Sequence, residues 1–220
     1  MLMLWSVMIA LSAMATGSAA QEETASQAMA ERYQAEFADC VVRRKNYAAP
    51  VATFLRAIPD TPGWGEAGFK AADLSCLNAA ARRTESKITM KMQPSSFRDA
   101  LYPALYRQQF ARAPQTARIG ALPPINIASE FDGAIASLPA EYRPRRALGD
   151  CVARANPSEA HTMLLAGPGS KAETAAVEAL KPSIAGCLPA GTSIRMNRPA
   201  LRAHLGEAMY KLSRAASGAG

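Results

Sequence analysis

Asp150-Cys151-Val152-Ala153-Arg154 repeats the pattern of Asp39-Cys40-Val41-Val42-Arg43, and this echo decides how the chain is read. From each of these cysteines the next lies 36 positions on, Cys76 in the first copy and Cys187 in the second, and each of those is followed by leucine. Further along, Lys91-Met92-Gln93 matches Arg195-Met196-Asn197, and Phe97-Arg98-Asp99-Ala100-Leu101 matches Leu201-Arg202-Ala203-His204-Leu205. Ala104-Leu105-Tyr106-Arg107 then matches Ala208-Met209-Tyr210-Lys211. The register shifts from 111 to 104 between the two blocks, so the first copy carries seven extra residues around Asn78 to Lys87. The echo describes architecture. It names no activity.

Four cysteines permit three pairings, and duplication chooses among them. A single ancestral copy would need its own bond, so Cys40–Cys76 and Cys151–Cys187 are expected, each closing a loop worth about 3–4 kcal/mol in the chain-entropy model. No Cys-x-x-Cys spacing occurs and no histidine adjoins a cysteine, so a metal or redox role has no support. The N-terminus agrees with disulfide chemistry. Leu2 to Ala15 is an apolar run too short for a membrane span of about 20 residues, and Ser18-Ala19-Ala20 supplies the small residues that a signal peptidase reads. No Lys or Arg precedes the run. The segment reads as a cleaved export signal, giving a periplasmic or secreted protein with no membrane span after cleavage.

The fold expected is mainly α: two tandem disulfide-stapled helical repeats related by pseudo-twofold symmetry. The divisions are residues 1–20 as signal, 21–115 as the first repeat, 116–214 as the second packed on it as one unit, and 215–220 as a disordered tail. Met29, Tyr33, Phe37, Cys40 and Val41 recur at helical steps, so Glu22 to Arg44 is predicted to be a helix. Its counterpart is Glu141 to Ala155. Asn156-Pro157-Ser158-Glu159 is a helix start, with Asn as cap and Pro at the first position. Pro50 opens the matching short helix of the first copy.

A third helix in each copy, Gly65 to Leu77 and Lys171 to Leu180, leads to the second cysteine, with Pro182 expected to start a fresh turn. Trp64, in a glycine-flanked stretch that follows no strand, is expected to begin the first of these and cover the core edge. Ile88-Thr89-Met90-Lys91-Met92 and Ile194-Arg195-Met196 alternate with period two, so each copy is expected to contribute one brief strand before its last helix. Those last helices are Ser96 to Phe110 and Pro199 to Leu212. Ser95 or Ser96 and Asn197 are the expected caps, and Pro103 predicts a kink or break. Ala111 to Ser129, with Pro114, Pro123 and Pro124, reads as an extended connector.

Chemistry-bearing patterns are scarce. His161 and His204 match Pro50 and Ala100 in the other copy and have no implied role. Asp39 and Asp150 precede cysteines on helices and read as partners of Arg43 and Arg154 four residues on. No Ser-His-Asp order, zinc-helix motif or phosphate-cradling glycine loop is present. No catalytic, cofactor-binding or metal-binding residue is assigned, and no cofactor is expected. Tyr106 and Tyr210, with Arg107 and Lys211, are the matched residues best placed for something beyond packing.

The property that points outward is charge. Lys and Arg number 25 against 18 Asp and Glu, for a formal +7, and none of it lies in the signal. The candidates for anion contact are Arg43, Arg44, Lys45, Arg143, Arg145, Arg146, Arg195, Arg198 and Arg202. Export and the lack of aromatics between the arginines speak against nucleic acid. The expected partner is an unknown protein or an anionic envelope component, and the reading is a non-enzymatic exported scaffold. A hydrolase with an unfamiliar site, or a small-molecule binder between helix layers, is the alternative.

Overall fold

A computed structural model describes residues 16–77, 92–192, 194 and 196–218, with side chains from Gln27 onward. The apolar run Leu2 to Ala15 and the extra residues Asn78 to Lys87 of the first copy lie outside the described residues. The first helix, α1 (Thr16–Val42), turns through Lys45–Tyr47 into α2 (Ala48–Arg56). Then come α3 (Trp64–Ala71) and α4 (Pro94–Phe110). After a connector containing one helical turn, Thr116–Ile119, follow α5 (Tyr142–Ala155), α6 (Pro157–Leu165), α7 (Lys171–Cys187) and α8 (Arg198–Ala216). The chain is mainly helical, and no described helix is long and apolar enough to cross a membrane.

α8 is the organising element. It packs along α4 and also against α5 and α6, while α4 packs on α1. Two glycine-mediated approaches allow this. A Cβ on Gly206 would lie 2.6 Å from Pro103 Cγ, and one on Gly149 would lie 2.7 Å from the His204 carbonyl oxygen, so both sites exclude any side chain. Pro103 therefore does not break α4 as expected. The helix continues through it, and its ring lies against the surface that Gly206 leaves bare.

Apolar side chains gather into two principal cores. Phe37, Val41, Phe54, Trp64, Phe97 and Leu101 belong to the first, and Val152, Met163, Leu164, Leu180, Leu205 and Met209 to the second. Tyr106 and Phe110 of α4 enter the second core, and Tyr210 packs against both, so the cores share a boundary at α4 and α8. Disulfides join Cys40 to Cys76 and Cys151 to Cys187, with Cα separations of 5.7 and 5.8 Å. These are the pairings expected.

Local signals worked where capping chemistry is explicit. Asn156 accepts from the Glu159 N–H at 3.3 Å, and Asn197 from the Ala200 N–H at 3.0 Å. Gly63, at φ 83°, precedes a buried Trp64 at the start of α3. Elsewhere the expectations need correction. Neither Ser95 nor Ser96 caps α4, which begins at Pro94 because proline at the first position needs no N–H partner. α3 stops at Ala71, since Asp73 accepts the Ser75 N–H at 3.0 Å and starts a new turn that carries Cys76.

α7 runs unbroken to Cys187 through Pro182, whose exposed position lets water serve the carbonyl that loses its partner. The connector is not simply extended: Ile119, fully buried, anchors a helical turn in the second core. α8 reaches Ala216, taking in the start of the segment expected to be a loose tail; Ala219 and Gly220 lie outside the described residues.

No strand occurs among the described residues. Ile194 and Met196 are unpaired backbone, their side chains instead packing beside the second core. The other expected strand, Ile88 to Met92, lies outside the described residues except for Met92, which carries no regular structure.

Candidate functional site

Three helices each present a pair of side chains four residues apart, the spacing that puts both on one face. α4 supplies Arg98 and Tyr102, α5 supplies Tyr142 and Arg146, and α8 supplies Glu207 and Lys211; the connector adds Glu130. Glu207 is the hub. Its carboxylate accepts from Arg98 Nη2 at 3.0 Å and Nη1 at 3.3 Å, from Lys211 Nζ at 2.7 Å and from the Tyr142 hydroxyl at 3.0 Å, with Arg146 Nε at 3.6 Å. Glu130 accepts from Lys211 Nζ at 2.5 Å and from Arg146 Nη2 at 3.3 Å. The rings complete the setting: the Arg98 guanidinium carbon lies 5.0 Å from the Tyr102 centroid and 5.1 Å from that of Tyr142, and Lys211 Nζ lies 5.1 Å from Tyr102.

Burial fixes the protonation of this set. Removal from water would raise the Glu207 pKa, but Arg98, Lys211 and Arg146 outweigh it and hold the carboxyl well below the usual carboxylate range. Burial disfavours the charged forms of Arg98 and Lys211, yet Glu207 prevails and raises both. Burial pushes the Tyr102 and Tyr142 hydroxyls up, so both stay protonated. His204 is lowered to about 4, first by burial and then by Arg98, Arg146 and Arg145, against the opposing pull of Glu207. None of these groups changes charge between pH 5 and 8, which suits them to hold a fixed field rather than to move protons. The balance is uneven: three cations, Arg98, Arg146 and Lys211, face two carboxylates. Arg98 Nε and Arg146 Nη1 have no hydrogen-bond acceptor.

Two clefts reach the network. One, of about 370 Å³, lies where α2, α4, α8 and the connector meet; Tyr102, Glu130, Tyr210, Lys211 and Arg214 line it together with Leu55 and Ile125. The other, of about 300 Å³, is bordered by Pro59, Trp64, Tyr142, Arg145 and His204, with Arg98 and Asp99. Trp64 Nε1 and His204 Nδ1 are buried there without partners. Among the described residues, no three His, Cys, Asp or Glu side chains converge as a metal cage.

No family model, curated protein or solved structure matches the chain. Within the site itself, Tyr210 and Lys211 fall at the first cleft, Tyr210 with its ring 5.9 Å from that of Tyr102. Their counterparts do something else. Tyr106 is fully buried, sharing a 2.7 Å hydrogen bond with His161 Nδ1, and Arg107 binds Asp39 at 2.8 Å and the Leu164 carbonyl at 3.3 Å, tying α4 to α1 and α6. Asp39 thus pairs across helices rather than with Arg43, because α4 brings a guanidinium to it. Asp150 does pair with Arg154, at 3.0 Å.

The arginines considered for anion contact divide. Arg43, Arg44 and Lys45 are exposed beyond the end of α1, with Arg44 3.4 Å from Asp73. Arg143 donates to the Ile135 carbonyl and Arg145 pairs with Glu141. Arg146 and Arg202 are buried and are corrected to internal partners, Arg146 in the network and Arg202 with Glu173 Oε1 at 2.7 Å and the Ala166 carbonyl at 2.9 Å. Arg198 lies 3.4 Å from Glu173, and Arg195 is outside the described residues. The hub Glu207, with Glu130, Arg98, Tyr102 and Tyr142, was not foreseen; the four-residue pairing of charged and tyrosine side chains was the available signal.

Proposed function

We propose that this is a non-enzymatic exported protein of the cell envelope, a stapled helical scaffold that binds an anionic partner, either a protein or an envelope component, at the junction cleft. In this reading the body arose by duplication: each half carries one disulfide of equal sequence separation, and α4 and α8 correspond. Two disulfides fit an oxidising compartment, and a cleaved leader would deliver the chain there. The observation that carries the binding reading is the cleft over Lys211, where an internal set with more cations than carboxylates opens to solvent at the meeting of α2, α4 and α8.

A hydrolytic reading would rest on Asp99, which burial raises to about 6 in the cleft it shares with neutral His204; it is less well supported because Glu207 is held ionised and the junction network itself supplies no acid–base pair. The test is a pull-down from envelope extract with the mature protein at low and high salt. Capture of one partner that survives high salt supports a specific site. Capture of nothing at either salt overturns the reading.

A further inference from the structure

The junction cleft has a floor and walls of different chemistry. Lys211 forms part of its floor: an ammonium group has three donors, and two are committed to Glu130 and Glu207 at 2.5 and 2.7 Å. Arg214, exposed one turn further along α8, adds a second cation at the rim, its guanidinium carbon 6.0 Å from the Tyr210 centroid. Arg56, which binds Asp132, is at the rim as well. The remaining wall is apolar, with Leu55 from α2 and Ile125 from the connector facing the Tyr102 and Tyr210 rings.

We propose that this cleft binds a small amphiphilic anion, a carboxylate or phosphate monoester on a short apolar chain. The proposal rests on reading the protein as a binder and goes further by naming the ligand class. Its head group takes the third Lys211 donor, close to the positive charge of Arg214 at the rim, and its chain lies against Leu55 and Ile125. Charge argues for the head: one negative charge brings the internal set of three cations and two carboxylates to neutrality, whereas an uncharged ligand would desolvate Lys211 with nothing in return. The apolar wall argues for the chain, since a bare inorganic anion leaves it unused. A volume of about 370 Å³ lies at the lower end for small-molecule sites, which favours a short chain. The same chemistry is offered by a free acid and by the head of an anionic lipid.

The mature protein is titrated calorimetrically with octanoate, hexyl phosphate, octanamide and inorganic phosphate. A parallel arm measures co-sedimentation with phosphatidylglycerol and phosphatidylcholine vesicles. Octanoate or hexyl phosphate binding at least about tenfold more tightly than octanamide and inorganic phosphate assigns a free acid. Retention by phosphatidylglycerol but not phosphatidylcholine vesicles that persists at high salt assigns a lipid head, and either supports the proposal; retention lost at high salt is surface attraction and counts as no binding. Arg214→Glu and Ala52→Trp act on exposed positions lining the cleft, so they keep the fold testable by its unchanged melting; each should weaken binding about tenfold or more. Equal binding of octanamide and octanoate, no binding in either arm, or wild-type binding by both variants overturns the proposal. If both arms are blank while the pull-down still captures a salt-resistant protein, the scaffold reading stands and the ligand class falls. If the pull-down is blank as well, both fall.

Discussion

Glu207→Gln is the most direct perturbation of the network. The substitution keeps the shape but removes the charge, leaving Arg98, Arg146 and Lys211 with Glu130 as their one remaining carboxylate in the set. It also introduces an amide NH₂ among groups that are themselves donors: the Arg98 guanidinium, the Lys211 ammonium and the Tyr142 hydroxyl. Removing one member of a buried ion pair costs about 3–5 kcal/mol, and Glu207 serves three cations, so a loss of about 4–5 kcal/mol is expected. Urea is the denaturant of choice because it does not screen charge. With the disulfides intact and unfolding followed by far-UV circular dichroism at pH 7, a slope near 2 kcal/mol/M places the midpoint about 2 M lower.

The pH dependence gives a second reading of the same quantity. The folded Glu207 pKa is depressed, so its stabilisation is complete above the ordinary carboxylate range and is lost as pH falls through the depressed value. The gap between wild type and variant should therefore persist from pH 8 to 5, widening slightly as Asp99, held near 6 in part by Glu207, takes up its proton, and close only in strong acid. A loss below about 1 kcal/mol at pH 7 would refute the idea that Glu207 is the keystone of a buried network.

Three further outcomes are expected. Gly206→Ala should gain about 1 kcal/mol in helix propensity yet lose more by forcing a methyl onto Pro103, for a net loss of about 1–2 kcal/mol; a melting temperature equal to wild type would show the α4–α8 contact to be looser than described. Replacing Cys151 and Cys187 together by Ala should cost about 3–4 kcal/mol, as should the Cys40 and Cys76 pair, read by denaturant titration of each double variant. His204 falls from an ordinary 6.5 to about 4 on folding, so the unfolded chain binds the extra proton between those values. The His204 contribution to stability should be full above pH 6.5 and fall by about 3 kcal/mol on the way to pH 4, read as the difference between wild type and His204→Gln, because Asp99, raised by burial to about 6, moves total stability the opposite way over the same range.

The sequence carried the signals that act locally. Cap residues such as Asn156 and Asn197 bond a backbone N–H within three residues, and the two disulfides follow from spacing and repetition, so both were legible. Pro103 and Pro182 misled because tertiary packing or surface hydration can offset the cost of a proline inside a helix. One lies against Gly206 more than a hundred residues away, and the other is at the surface. The network was hidden for a similar reason. Arg98 meets Glu207 across 109 positions, Tyr142 meets it across 65 and Lys211 meets Glu130 across 81, and each of these residues alone resembles an ordinary charged or tyrosine position on a helix.

That packing also changes how the basic composition is understood. Arg98, Arg146, Arg202 and Lys211 are taken inside together with Glu130, Glu173 and Glu207, and Asp73 and Asp150 are buried as well, so burial removes no net positive charge from the surface. Most of the formal +7 therefore remains outside, where it governs encounter and non-specific attraction in a salt-dependent way. The excess charge of the junction network is different in kind. It is poorly screened, it sits on groups whose protonation does not change across the neutral range, and Lys211 brings it to the wall of the junction cleft. Raising salt should therefore weaken contacts made by Arg43, Arg44 and Lys45 far more than a ligand bound at Lys211, and it is this contrast that separates surface attraction from a built site.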